Sequence, residues 1–133
     1  MSNLEDNKLL VKQFWVAFSE SRFDDALALL ADDATWWVAG TTDISGTNSK
    51  SEFAELIKGI GESTVAGIEV KPSLLTAEDD RVSMEAVSYG EMKSGKVYQN
   101  IYHFMHIVQD GKIRTVREYM DTEHVTEIFG GDE

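Results

Sequence analysis

Tyr98–Asp121, YQNIYHFMHIVQDGKIRTVREYMD, decides the fold. It reads as two alternating strands joined at Asp110-Gly111, a dipeptide suited to a hairpin turn. The second strand carries one carboxylate, Glu118, flanked on its own face by Val116 and Met120. A carboxylate facing an apolar interior is costly to keep charged, so its pKa rises towards neutrality, the range useful for a general acid or base.

Which side chains share a face with Glu118 depends on the turn. A two-residue type I′ loop at Asp110-Gly111 sets Gln109 opposite Lys112 and His103 opposite Glu118. A three-residue loop with Gly111 left-handed in a G1 bulge sets Val108 opposite Lys112. Tyr102 then opposes Glu118, and Asn100, Tyr102 and Phe104 turn inward with it. A slip of one residue exchanges faces, so the two registers exclude each other, and both stay open at this point. An ion pair to Arg114 or Arg117 is the structural alternative for Glu118.

Working outward, the order is helices first and strands after, which indicates an α+β fold. Ser2-x-x-Glu5 reads as a capping box, with Leu10, Phe14, Ala17 and Phe18 at helical spacing through Ser21. A second helix starts near Phe23, and Asp32-Asp33 closes it. Thr35-Trp36-Trp37-Val38 is a short aromatic strand, and 41–49 has loop chemistry. Ser49-x-x-Glu52 opens a third helix bearing Phe53, Leu56, Ile57 and Ile60, which Gly59 and Gly61 weaken and stop. Pro72 demotes the strand around Ile68, Val70 and Leu74 to an edge or a bulge. Val82, Met84, Ala86 and Ser88 form one face of the next strand. A short helix near Glu123–Phe129 follows the hairpin. Three helices against one face of a strongly curved, antiparallel-rich sheet make a cone with a cavity between the layers.

Residues 1–133 suffice for one domain with its own core. The chain is 42% hydrophobic and 27% charged, ordinary for a globular fold, and contains no cysteine. Disulfides and thiolate chemistry are excluded, and a cytoplasmic setting is expected. The opening residues carry no basic and apolar leader pattern, and no apolar run approaches the roughly 20 residues that span a bilayer. A net charge of −12 argues against nucleic acid and anionic lipid as partners. His103 and His106 fall on opposite strand faces and with His124 make no metal set. No glycine-rich phosphate loop and no Gly-x-Ser-x-Gly elbow occurs.

The combination resembles the nuclear transport factor 2-like superfamily, and within it the SnoaL-like and ketosteroid isomerase-like proteins. The resemblance rests on Phe23-Asp24-Asp25-Ala26-Leu27 before the Trp36-Trp37 strand, on Gly40 and Gly46 around a loop, and above all on the ending Val108 to Asp121. It implies a cone-shaped barrel, a homodimer through the outer sheet face, an apolar pocket, and the register that turns Asn100, Tyr102 and Phe104 inward. It further implies a small apolar ligand and cofactor-independent isomerase, cyclase or hydrolase chemistry. Glu118 would be general acid/base, with Tyr102 and Asn100 orienting substrate or stabilising an oxyanion. Phe14, Phe18, Trp36 and Val38 would line the pocket together with Phe104, Val116 and Met120. Limonene epoxide hydrolases of the same superfamily have an acidic base at the position matched by Glu118, but their Arg-x-Asp pair has no counterpart between Arg81 and Met92. The alternative is a non-catalytic ligand-binding or dimerisation module of the same fold.

Overall fold

Asn3 starts the first helix: its Oδ1 accepts hydrogen bonds from the backbone N–H of Glu5 and Asp6. A computed structural model describes residues 3–130. The expected capping residue Ser2 lies outside them, and Asn3 fills the role instead. Helix α1 (Leu4–Ser19) buries Val11, Phe14, Trp15 and Ala17. Ser21, with φ 60°, breaks the chain into α2 (Phe23–Ala28). That helix ends before Asp32-Asp33, which belong to strand β1 (Leu30–Val38). Both acids are exposed at an irregular stretch of β1, where Asp33 pairs with Arg114 and Asp32 lies 3.6 Å from Lys50.

The loop expected over 41–49 closes with a short strand, β2 (Gly46–Ser49), antiparallel to β1. Helix α3 (Lys50–Glu62) opens on the Ser49/Glu52 capping box. Gly61 does not stop it. A Cβ there would come within 3.0 Å of the Phe23 ring, so Gly61 is where α2 approaches α3 closely. Strand β3 (Glu69–Glu78) is the edge of the sheet and bulges between Pro72 and Leu74, as a proline without an N–H requires. Strand β4 (Arg81–Glu91) turns Val82, Met84, Ala86 and Ser88 inward. Strands β5 (Val97–Tyr98), β6 (Ile101–Gln109) and β7 (Lys112–Met120) follow, then helix α4 (Thr122–Phe129).

Residues 3–130 thus form an α+β fold of four helices on a mixed, curved sheet of seven strands. Its order is β2-β1-β7-β6-β4-β3, with β5 beside β4 and β1 parallel to β7. No described helix is long and apolar enough to cross a membrane.

The β6–β7 hairpin corrects both sequence-based registers. Asp110 and Gly111 have φ 55° and 74°, the signature of the two-residue type I′ turn, and Gln109 opposes Lys112. One residue later the ladder slips: Val108 faces Ile113, but Ile107 faces Thr115. Arg114 is the extra residue of a bulge. Phe104 therefore opposes Glu118 and Tyr102 opposes Met120, so neither Tyr102 nor His103 stands across from the acid. The face is the one implied by the G1 register, with Asn100, Tyr102 and Phe104 turned inward. The mechanism is different, because the turn is tight and the shift lies in the second strand.

The bulge has a packing reason. Ile113 and Val116 are both fully buried although they stand three positions apart. A regular strand would expose one of the two, and one inserted residue lets both face the core. Arg114, left outside, pairs with Asp33 on β1.

Candidate active site

Glu118 is placed by the bulge and fixed by its neighbours. Its backbone carbonyl accepts from Ala39 N at 2.9 Å, Val38 lies beside it on β1, and Phe104 faces it on β6. Trp36 Nε1–H donates to Glu118 Oε1 at 2.8 Å. Among the described residues no cation pairs with this carboxylate: Arg114 is held by Asp33, and the Arg117 guanidinium lies 4.2 Å over the Trp37 ring on the other face. Burial pushes the Glu118 carboxyl up to about 7, and the Trp36 hydrogen bond holds back part of that rise. Oε2 has no hydrogen-bond partner among the described residues. It is not among the fully enclosed polar atoms either, so it is reached from the cavity that Glu118 lines.

That cavity, between the helices and the inner sheet face, has a volume of about 60 Å³. A water molecule takes roughly 30 Å³ in the liquid, and ligand pockets run from about 300 Å³, so the space is a narrow slot. Aromatic rings form half of its lining and aliphatic side chains nearly all the rest. Phe53 of α3 stacks on Trp36 with centroids 3.9 Å apart, and Trp15 lies 4.4 Å from Phe104, which stacks on Tyr102 at 4.9 Å.

Of the residues expected at the site, Glu118, Tyr102, Phe18, Trp36, Val38 and Phe104 line the cavity. Phe14, Val116 and Met120 do not. Phe14 and Val116 are buried behind it in the core, and Met120 packs against the core's edge. Asn100 does not reach the cavity either. Its side chain is consumed in tying β6 to the end of β7: Oδ1 accepts from Asp121 N and Ile101 N, and Nδ2 donates to Asp121 O and to the Tyr98 hydroxyl.

Tyr98 is a site residue that sequence reasoning missed. It lines the cavity, and its hydroxyl accepts from Tyr102 Oη–H at 2.8 Å and from Asn100 Nδ2 at 3.0 Å. With Tyr102 donating, the Ser88 hydroxyl supplies the 2.9 Å bond to Tyr102. The Tyr98 proton is then the free donor at the end of a Ser88–Tyr102–Tyr98 chain. Burial pushes Tyr98 up to about 12 and Tyr102 well above the usual phenol range, and the Glu118 charge adds to both, so the two phenols keep their protons. Tyr98 falls in the two-residue strand β5, where no periodicity marks it.

Trp15 was also missed. Its Nε1–H donates to His106 Nε2 at 3.1 Å while His106 Nδ1 binds Val82 O at 3.0 Å, which fixes a neutral ring with its proton on Nδ1. A stripe of Val11, Phe14, Trp15 and Phe18 (i, i+3, i+4, i+7) would have found it; Leu10 stood in its place. Phe53 and Phe129, assigned to helix packing in the sequence, also line the cavity.

The arrangement offers one carboxyl that both gains and loses a proton near neutrality, one phenol donor, and aromatic walls. Chains of known structure share the architecture. An NTF2-like protein from Burkholderia xenovorans LB400 superposes with a TM-score of 0.75 at 24% identity, over 94% of this chain and 96% of that one. A candidate polyketide cyclase from Xanthomonas campestris pv. campestris gives 0.81 at 23% identity, over 93% and 96%. TerC, co-crystallised with polyporic acid, gives 0.81 at 16% identity, over 95% and 99%. At these identities the likeness shows the fold. No curated protein matches this sequence. Residues 11–116, most of the chain, match the SnoaL-like domain, and the chain belongs to that family.

Proposed function

We propose that this protein binds a small organic molecule between helices and sheet and moves a proton on it with Glu118, without a cofactor. The observation that carries this reading is an unpaired carboxyl with one oxygen facing an aromatic cavity and a pKa pushed up to about 7. The chemistry it suits is proton abstraction next to a carbonyl, the first step of isomerisation or cyclisation. Tyr98 donates to the developing oxyanion. Tyr102 and Asn100 act through Tyr98, as positioning residues whose hydrogen bonds aim its hydroxyl. The cyclase among the similar structures and the polyporic acid bound to TerC support a small organic ligand. A ligand larger than the slot needs Phe53 to leave its stack on Trp36.

Exchange of the α-protons of cyclopentanone for deuterium, followed by NMR, tests the reading. The protein accelerates exchange at least tenfold over buffer. Because the base works deprotonated, the rate rises with pH through about 7, and Glu118→Gln abolishes it. Exchange at the buffer rate, or unchanged in Glu118→Gln, removes the catalytic role. The second reading, a binding module, is favoured by the 60 Å³ slot and predicts retention of a ligand with no exchange.

For the partner we propose a second copy of this chain on the outer sheet face. Val87 pairs with Ile101 and His103 with Tyr119 there, and Ile101 is 67% exposed. Ile101→Lys, at the centre of that patch, turns a dimer into a monomer in sedimentation velocity. A parent chain that sediments as a monomer refutes the contact.

A further inference from the structure

We infer that the ligand is an organic cation, with a methylated or protonated amine head seated between the aromatic rings and Glu118. The inference rests on the reading of the cavity as the ligand site and narrows the class of molecule it takes; Glu118 then acts as the ligand's counter-ion, and abstracts a proton only from ligands that leave Oε2 free.

Three features of the cavity lead there. Its wall holds one ionisable carboxyl and, among the described residues, no lysine, arginine or histidine. The carboxyl thus lacks a countercharge. An anionic ligand would meet a second negative group in a poorly solvated space with nothing to offset it. A neutral apolar ligand would strip water from Glu118 and give nothing back. A cation supplies the missing charge.

The rings provide the second feature. Trp15, Trp36, Phe53, Tyr102 and Phe104 line the slot together with aliphatic side chains. Trp36 stacks on Phe53 and Tyr102 on Phe104, so one face of each of these rings is covered, and a face left open carries the negative part of a quadrupole that attracts alkylammonium groups. Trp36 serves both functions, because its ring is wall while its N–H holds Glu118 Oε1 and leaves Oε2 free.

Volume is the third. A space of about 60 Å³ is filled by a methylammonium-sized group, so a trimethylammonium head enters as the rings shift, and a fused ring system is excluded unless they part fully. The rest of a larger ligand would extend towards solvent. The net charge of −12 favours approach of a cation over an anion.

The proton balance is simple. An amine arriving neutral takes the proton of Glu118 and becomes the bound ammonium, leaving the carboxylate as its partner. A quaternary ammonium cannot take it, so the protonated fraction of Glu118 releases its proton to the buffer.

Choline and 3,3-dimethylbutan-1-ol share a shape and differ in charge, and this pair tests the assignment. Binding is read by NMR shifts of the Trp15 and Trp36 indoles and by calorimetry in two buffers of different ionisation enthalpy. Choline binds at least tenfold tighter than the alcohol and releases a fraction of a proton at pH 7. Glu118→Gln loses the preference and the proton release. Equal or tighter binding of the alcohol overturns the cation assignment and leaves Glu118 as a proton carrier for neutral ligands. Binding of neither overturns it too, and the cyclopentanone exchange then decides the proton-transfer reading independently.

Discussion

Glu118→Gln makes the protein more stable at pH 8, by about 2 kcal/mol, and leaves it no more stable than the parent at pH 4.5. The sign follows from the direction of the shift. Burial raises the Glu118 carboxyl from 4.5 in the unfolded chain to about 7 in the fold. Between these values the folded protein holds a proton that the unfolded chain has lost. The stability linked to that proton is complete below 4.5 and drains away as pH rises through 7. The full shift corresponds to a ceiling of about 3 kcal/mol, and water reaching Oε2 through the cavity trims it. Gln keeps an acceptor for Trp36 Nε1–H and carries no charge, so it escapes the loss. Urea melts of both proteins at pH 5 and pH 8 measure the difference directly. A variant equal to the parent at pH 8 would mean that the carboxylate is well solvated, and the poised proton would go with it.

How much of this was legible in the sequence differs from element to element. The capping pair Ser49 and Glu52 and the turn at Asp110-Gly111 act over three or four residues, and local chemistry of that range can be read directly. Helix–strand order and the bulge at Pro72 were equally open, because a missing N–H has the same consequence in any sheet. The bulge at Arg114 was not. It exists because β7 must match β6 on one side and β1 on the other while burying both Ile113 and Val116, a condition set by three strands at once. Its trace in the sequence was the odd spacing of two large apolar residues, and a period-2 reading passes over that. The β2 strand was hidden for a related reason. Gly46-Thr47-Asn48-Ser49 has turn composition and becomes a strand by pairing with β1. At the site, Glu118 could be read because Val116 and Met120 flank it on its own face, whereas alternation left Tyr102 and His103 open and only the resemblance turned Tyr102 and Trp36 inward. Asn100 and Tyr98 could not be sorted, since the chain leaves regular pairing between β5 and β6. An amide there serves as readily to clamp Asp121 as to touch a ligand.

His106→Leu lowers stability at pH 7 by about 3 kcal/mol, and most of that deficit disappears by pH 4. His106 is fully buried, accepts from Trp15 Nε1 and binds Val82 O. Leucine fills similar space and leaves a buried indole N–H without a partner, a loss of about 1–3 kcal/mol, with the Val82 bond adding to it. The pH term runs opposite to that of Glu118. Burial lowers the His106 imidazole from 6.5 to about 4, with the His103 ring a smaller influence in the same direction and the Val82 hydrogen bond opposing. Between these values the unfolded chain holds a proton that the fold excludes, so the parent loses stability as pH falls from 6.5 through 4. The leucine variant has no such proton and keeps its stability, which closes the gap. In the parent, half-buried Glu118 and fully buried His106 offset one another. From about pH 4.5 to 6.5 the fold keeps one extra proton on Glu118 and lacks one on His106, so their combined slope is near zero. Each single variant exposes the other group's slope: Glu118→Gln becomes acid-labile, and His106→Leu gains stability as pH falls from 7 to 4.5. Chemical denaturation across that range separates the curves. Parallel curves for the parent and both variants would show that neither group is buried as placed. Because His106 also orients Trp15, whose ring lines the cavity, the leucine variant weakens ligand binding at pH 7 while Glu118 itself is untouched.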